Sequence, residues 1–246
     1  MGEREKFDII IFLGRPAAGK SEVIDFFKHI KLKKRLKKYH IGNIVEIDDF
    51  KFLWARGEKD DAREKRGKER IDTKKIKIGG YAVKSKDIYR KLINDINKEF
   101  KKNYNSENFF NENTLFIEFS RGGKNAYKNA LKLLDKKILN KSVIYYIYAD
   151  YEEVLRKNKR RYDPSQPDSI LHHIVPFSVM RQYKIDDFEE LLKKDKVSSI
   201  EINKINIPYA IFNNMPEKTD NPKKIKKELK TSIDKLFELY KNRNKI

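Results

Sequence analysis

Four residues near the start of the chain have the types and the spacing of a phosphate-binding loop. The pattern G-x-x-x-x-G-K-[ST] is met by Gly14, Gly19, Lys20 and Ser21. Glycines allow a tight turn whose N–H groups point at phosphate oxygens, and the following helix turns its positive end toward the anion. The Lys20 ammonium can neutralise the β- and γ-phosphates, and the Ser21 hydroxyl can hold Mg²⁺. The pattern predicts a nucleotide site with contacts from the run Gly14, Arg15, Pro16, Ala17, Ala18, Gly19, Lys20, Ser21 and Glu22.

The segments on either side of this loop support that interpretation. The apolar run Ile9–Leu13 has the length of a buried strand, and apolar residues at helical spacing follow the loop. A strand, a glycine loop and a helix in this order form the context in which the pattern binds nucleotides. The alternative is a glycine loop that only joins a strand to a helix.

Acidic residues follow two further predicted strands. Asp48 and Asp49 come after the strand 44–47, and Glu118 lies near the end of the strand 114–119. The carboxyl ends of parallel strands form the edge of the sheet where ligands bind. A carboxylate at this edge can take a proton from a substrate hydroxyl. We assign that role to Asp48, with Asp49 as helix cap or helper, and expect Glu118 to hold Mg²⁺, directly or through water.

Basic side chains follow the same strands. Arg121 is predicted to reach phosphate oxygens, and an ion pair with Glu118 is the alternative. The helix after the strand 143–148 carries further arginines that can neutralise a transferring phosphoryl group. A solvated basic helix surface is the alternative for this group, which consists of Arg156, Arg160 and Arg161.

Two polar pairs near the end of the chain are weaker candidates. Asn213 ends the last predicted strand, 207–212, and side chains at that place commonly border an adenine pocket. His172 and His173 are adjacent and point in different directions on any regular element, so they make a poor metal pair. We predict a structural role for the two histidines, with a place on the substrate side as the alternative.

The elements that must position these residues alternate between strand and helix. This order predicts an α/β fold with three α/β/α layers and a mostly parallel, five-stranded sheet, within one domain of 246 residues. Helices are expected at 124–138, at 179–194 and along the apolar stripe formed by Ile88, Leu92, Ile93, Ile96 and Phe100. Residues 56–84 predict either a charged, partly helical insertion on the substrate side or a disordered loop. Residues 150–176 predict a lid.

Composition limits the classes of partner. The formal net charge of +20 favours polyanions such as nucleic acid. Abundant lysine from A/T-rich codon usage is the alternative. Six of the eight residues 31–38 are basic, either as the solvated end of the first helix or as contacts to a phosphate backbone. There is no cysteine, and no apolar run approaches the ~20 residues of a membrane span. We expect a cytoplasmic protein with no membrane partner and no secretory leader.

Together these motifs resemble the P-loop kinase group of the P-loop NTPases, which includes nucleoside, nucleotide and polynucleotide 5′-kinases. The loop 14–21 is similar to the Walker A loop of that group, and Asp48 matches its strand-end base. Residues 118–121, EFSR, are similar to the acid-then-arginine element of deoxynucleoside kinases, with one residue more between acid and arginine. The arginines at 156–161 look like lid arginines. The resemblance implies ATP as phosphoryl donor and Mg²⁺ as cofactor.

Three functions remain open on this evidence. The first is a kinase that acts on a nucleoside, a nucleotide or another small metabolite. The second is a polynucleotide 5′-kinase, which the net charge favours. The third is a nucleotide-binding switch without transferase activity, for which residues 203–206, NKIN, half-match a guanine-recognition element.

Overall fold

A central β-sheet carries the predicted site, as seen in the computed structural model, which describes residues 5–76, 80–161 and 175–243. The strands in chain order are β1 (Ile9–Leu13), β2 (Asn43–Asp48), β3 (Thr73–Lys75), β4 (Tyr81–Val83), β5 (Asn113–Phe119), β6 (Ser142–Tyr148), β7 (Val197–Ile202) and β8 (Ile205–Asn213). Six of them form the central sheet in the order β2-β5-β1-β6-β8-β7, and β3 pairs with β4 in a separate hairpin.

The central sheet is parallel except at one edge. β2, β5, β1, β6 and β8 all run in the same direction, and β7 pairs antiparallel with β8. The predicted α/β class is confirmed, and the predicted count of five strands is one too low. The turn between β7 and β8 has positive φ at Asn203 and Lys204, which is the geometry of a tight hairpin turn. The parallel strands bring their carboxyl ends, and the residues that follow them, to one edge.

Helices cover both faces of the sheet. In chain order they are α1 (Lys20–Lys28), α2 (Leu32–Tyr39), α3 (Asp49–Glu64), α4 (Asp87–Asn103), α5 (Glu107–Glu112), α6 (Ala126–Lys132), α7 (Lys136–Lys141), α8 (Tyr151–Arg161), α9 (Phe177–Met180), α10 (Pro222–Lys230) and α11 (Ile233–Asn242). One face packs against α1, α2, α8, α10 and α11, and the other against α4, α5, α6 and α7. No helix in the described residues is long and apolar enough to span a membrane.

Two predicted helices are broken in the structure. The segment 124–138 forms α6 and α7 instead, because the Asp135 carboxylate accepts the Lys137 N–H and starts a new helix. The segment 179–194 contains the end of α9 and two 3-10 turns, Arg181–Lys184 and Glu189–Lys193. A carboxylate again interrupts the helix there, since Asp186 accepts the Phe188 N–H between the two turns.

The charged insertion is folded where the structure describes it, so the disordered alternative is wrong for residues 56–76 and 80–84. α3 continues to Glu64, and the β3–β4 hairpin returns toward α4. Buried Asp60 accepts the N–H groups of Ile71, Asp72 and Thr73, and Arg56 pairs with Asp72 and Asp95. These contacts join the turn before β3 to both neighbouring helices.

Candidate functional site

A cavity of about 250 Å³ lies at the carboxyl edge of the sheet, beside the loop 14–21. The ends of β2 and β5 form its floor, and α3, the β3–β4 hairpin, α4 and residues 175–183 form its sides. Large apolar and aromatic side chains dominate those sides. We call six of them the apolar wall: Phe50, Leu53, Tyr81, Leu92, Val179 and Tyr183.

The loop has the conformation that its glycines were predicted to allow. Gly14 has φ +153°, and a Cβ there would lie 2.4 Å from the Ile147 carbonyl oxygen. Gly19 has φ +110°, and a Cβ there would lie 2.7 Å from the Thr219 side chain. Any larger residue at either position would therefore displace neighbouring atoms. α1 begins directly at Lys20 with Glu22 in its first turn, so the positive end of the helix faces the loop.

Lys20 and Ser21 lie between the loop and the end of β5. The buried Lys20 ammonium donates to the carbonyl oxygens of Gly14 and Arg15 at 3.0 and 3.1 Å, and to Ser120 Oγ at 2.7 Å. It also lies 3.7 Å from the Glu118 carboxylate. Ser21 Oγ donates to Glu118 Oε1 at 3.4 Å. The structure thus brings the predicted phosphate cation and both predicted metal ligands together.

Ser21 and Glu118 suit Mg²⁺ as a pair of oxygen ligands. Among the described residues there is no group of three or more His, Cys, Asp or Glu side chains that could hold a metal ion. Mg²⁺ in phosphoryl-transfer sites is bound by one or two protein oxygens, with phosphates and waters supplying the rest. The donor set present therefore fits Mg²⁺ together with a nucleotide.

Asp48 faces the same floor. It is the register partner of Glu118 on the neighbouring parallel strand. Its Oδ1 accepts the Phe50 N–H at 2.9 Å, so the cap of α3 is Asp48, and the prediction of Asp49 as the cap is wrong. Burial raises the pKa of Asp48 to about 7, and the carboxylates of Glu118 and Asp49 add to that rise. A carboxyl with a pKa near neutrality can exchange protons at physiological pH.

Arg121 pairs with Asp49 rather than with Glu118. Its Nη1 lies 2.5 Å from Asp49 Oδ2, and its guanidinium lies 5.0 and 5.1 Å from the ring centres of Tyr89 and Phe119. Burial raises the pKa of Asp49, and the Arg121 charge opposes that rise. Nε of Arg121 has no hydrogen-bond partner among the described residues. Arg121 lines the cavity as a fixed, already paired cation.

The Arg15 side chain does not line the cavity, and the predicted nucleotide contact through the loop backbone at this position stays a prediction. It is 2% exposed, and its guanidinium donates to the Tyr183 and Ala149 carbonyl oxygens at 2.7 and 2.9 Å. It also pairs with Glu189 at 2.8 Å. Arg15 therefore ties the phosphate loop to the end of β6 and to the segment that carries Tyr183.

The other loop residues divide between the cavity and the interior. Pro16 and Ala17 line the cavity, and Ala17 has a positive φ of 61°. Ala18 is buried, and its carbonyl oxygen accepts a hydrogen bond from Asn214. The Glu22 carboxylate lies 3.8 Å from Lys157 of α8.

The arginines predicted to cover the phosphates point elsewhere. Arg156 and Arg160 are exposed and pair with Glu217 at 3.0 and 3.5 Å. The Arg161 side chain and the two histidines, His172 and His173, lie outside the described residues, as do residues 162–174 of the predicted lid. Asn158 is the α8 residue that lines the cavity, and it holds Val175 through two hydrogen bonds.

Among the described residues, the Asn213 side chain makes no hydrogen bond to the phosphate loop, whereas the Asn214 side chain does. The exposed Asn213 side chain accepts the Met215 N–H. Buried Asn214 instead donates to the Ala18 carbonyl oxygen at 2.8 Å and to Thr219 Oγ1 at 3.0 Å. It supports the phosphate loop from behind. Asn213 and Asn214 both follow the predicted strand 207–212, and nothing in the sequence distinguishes them.

The apolar wall was also missed. Its members come from α3, β4, α4 and the segment 177–183, so no local pattern joins them. A usable signal was the density of tyrosine near the charged insertion, with Tyr81 and Tyr89 on either side of its end.

Comparisons with known proteins give only distant matches. No known family profile and no curated protein matches this chain. It is similar to the crystal structure of a sugar kinase from Janibacter sp. HTCC2649, with 11% identity, 91% of this chain and 92% of that chain covered, and a TM-score of 0.42. It is also similar to a protein named APE1195, with 12% identity, coverage of 100% and 99%, and a TM-score of 0.39. At this distance neither similarity contributes to the choice of an activity.

Proposed function

We propose that the protein is an ATP-dependent phosphotransferase that moves the γ-phosphate to a hydroxyl of a small, neutral acceptor. The observation that carries the proposal is that the phosphate loop and Asp48 line the same cavity of about 250 Å³. Transfer to a hydroxyl needs a phosphate grip, a cation and a group that takes the acceptor proton. All three surround this cavity.

The loop side holds the donor. The loop amides and the Lys20 ammonium bind the β- and γ-phosphates, and the hydrogen bonds from Lys20 to Gly14 and Arg15 give way to phosphate oxygens. Ser21 and Glu118 would hold Mg²⁺, which supplies neutralisation of the phosphate charge. Positioning the phosphate against the acceptor contributes most of the rate in such reactions.

Asp48 acts on the acceptor. Its position beside Glu118 puts a carboxylate on the cavity floor, next to the strand end that contacts Lys20 and Ser21. A pKa of about 7 allows it to accept the hydroxyl proton as the new O–P bond forms and to release the proton afterwards. The Asp49 carboxylate is paired with Arg121. Asp48 is therefore the carboxylate of the two that accepts the proton.

The chemistry of the cavity supports a neutral acceptor. Its floor carries three carboxylates, Asp48, Asp49 and Glu118, against the two cations Lys20 and Arg121. Both cations already have carboxylate neighbours. An acceptor that brought its own phosphate would face this acidic floor, whereas an alcohol with an apolar or aromatic body would pack against the apolar wall.

The two other functions have less support. Among the described residues that line the cavity, Lys20 and Arg121 are the basic side chains, and both already have carboxylate neighbours, so little positive charge is left for the phosphates of a strand, which counts against a polynucleotide 5′-kinase. Residues 203–206 contain the β7–β8 turn, at the end of β8 opposite the phosphate loop. They therefore give no support to a guanine-recognising switch.

The test is transfer of label from γ-labelled ATP to a panel of acceptors. The panel contains neutral alcohols, including nucleosides and sugars, together with nucleoside monophosphates and 5′-hydroxyl oligonucleotides. We expect label on a neutral alcohol, and an Asp48→Asn preparation purified in parallel excludes a contaminating kinase. Label on oligonucleotides alone, or bound nucleotide with no transfer to any acceptor, would overturn the proposal.

A further inference from the structure

The lysines of two helices form a surface that the cavity does not use. α2 carries five basic residues and no acidic one, and α10 carries five lysines and one glutamate. α4, on the other face of the sheet, has five basic and three acidic residues. The single acid of α10, Glu228, already pairs with Lys196 and Lys218 from outside the helix. Positive charge is therefore concentrated on α2 and α10.

Both helices present these side chains from fixed positions. Arg35 of α2 is buried, and its guanidinium donates to the carbonyl oxygens of Phe27, Ile30 and Gly42. α10 is held by buried Ile225 and Leu229. Both helices pack against the same core cluster, beside α1. Of the nine exposed lysines of the pair, Lys224 is paired with Asp220. We call the other eight the lysine face: Lys33, Lys34, Lys37, Lys38, Lys223, Lys226, Lys227 and Lys230.

The arrangement is unfavourable for the helices themselves. Each of the eight lysines has another lysine four residues away, and like charges at that spacing repel. Neither helix has an acid in its first turn, where the helix dipole disfavours cations. No ion pair within 4 Å involves any of the eight among the described residues. An anion that bridges neighbouring lysines would remove this repulsion.

We propose that the lysine face binds the phosphate backbone of double-stranded nucleic acid, independently of the catalytic cavity. Lysines four residues apart are separated by about 6 Å along a helix, which lets one pair contact phosphates of the same strand. Among the described residues, Leu32 is the one large apolar side chain that these two helices expose. The face therefore lacks the apolar residues that enter a membrane and the aromatic rings that stack on single-stranded bases. Its contacts read charge and spacing but no base sequence.

Binding of a labelled duplex of about 24 base pairs, followed by anisotropy between about 50 and 200 mM salt, tests the proposal. Two variants each change four lysines of the face to Gln, either at 33, 34, 37 and 38 or at 223, 226, 227 and 230. The control changes Lys98, Lys102, Lys136 and Lys137, which are exposed on the other side of the sheet, and so has the same net charge. Circular dichroism checks that all the variants fold.

We expect each face variant to lose affinity at low salt by about tenfold or more and to lower the slope of log K against log salt by about 3 to 4. The control variant should keep most of the affinity and most of the salt dependence. Equal losses in face and control variants would show that only total charge matters and would overturn the proposal. Binding to phosphatidylserine vesicles without binding to the duplex would overturn it as well, as would duplex affinity that does not depend on salt.

Discussion

The two halves of the cavity are built in different ways. The half proposed to face the donor is made by eight consecutive residues, 14–21, whose backbone shape follows from two glycines. The half proposed to face the acceptor is assembled from α3, β4, α4 and residues 175–183, which are far apart in sequence. The proposed phosphate site is thus a local property of the chain, and the proposed acceptor site is a property of the folded whole.

This contrast predicts that a substitution in one half of the cavity leaves the binding properties of the other half unchanged. Removal of the donor cation should have the largest effect, because Lys20 serves both the loop and the phosphates. We expect Lys20→Ala to reduce kcat/KM by about 10³-fold or more, since it loses charge stabilisation at the transferring group. Titration with a fluorescent ATP analogue should show weakened nucleotide binding. Lys28→Ala, at the exposed end of α1, is the matched control, and unchanged nucleotide affinity in Lys20→Ala would contradict the prediction.

Substitution of the proposed base should leave the donor half intact. Asp48→Asn keeps an oxygen that can accept the Phe50 N–H but removes the proton acceptor. We expect kcat to fall by about 10²- to 10⁴-fold, with nucleotide affinity unchanged. Glu46→Gln, two residues earlier on β2, is the control for charge. Retained transfer in Asp48→Asn would show that a different group takes the proton.

The pH dependence should belong to the acceptor half. Burial and neighbouring carboxylates raise the pKa of Asp48 to about 7, and the base is active only when ionised. We therefore expect kcat/KM to fall as pH drops below 7, by about tenfold at pH 6, while nucleotide binding changes little over that range. Steady-state rates across pH, paired with nucleotide titrations, measure both. If the fall in kcat/KM occurred only near the ordinary pKa of an aspartate, a group other than Asp48 would be the base.

The smallest effect should come from the hairpin. A Cβ at Gly57 of α3 would lie 2.2 Å from the Tyr81 ring, so Gly57→Ala must displace a member of the apolar wall. We expect acceptor KM to rise by about tenfold, which is the scale on which an apolar pocket discriminates. Nucleotide affinity should stay constant. Lys68→Ala is the control in the same insertion, because the Lys68 side chain is exposed.

The two halves of the cavity also differ in how much of their structure could be predicted from the sequence. The loop, the strand-end acids and the α4 stripe follow from spacing of three to five residues, and all five apolar residues of that stripe are buried in α4. The ion pairs of Arg15 and Arg156 could not be predicted, because their partners, Glu189 and Glu217, are distant in sequence. A basic residue near phosphates and one that holds the fold together have the same local pattern. Residues 197–202 have a strand pattern, but the predicted sheet of five left this strand out, since a strand pattern does not specify the partner with which it pairs.

Arg15 and the hairpin have opposite consequences for how this scaffold can be altered. The hairpin is held mainly by contacts within its own insertion, such as Asp60 with the backbone at residues 71–73. It can be exchanged as a unit, which makes it the natural starting point for redesigning acceptor preference. The wall at Tyr183 is fastened to the donor loop by one guanidinium, so new shapes there must be selected together with changes in the loop.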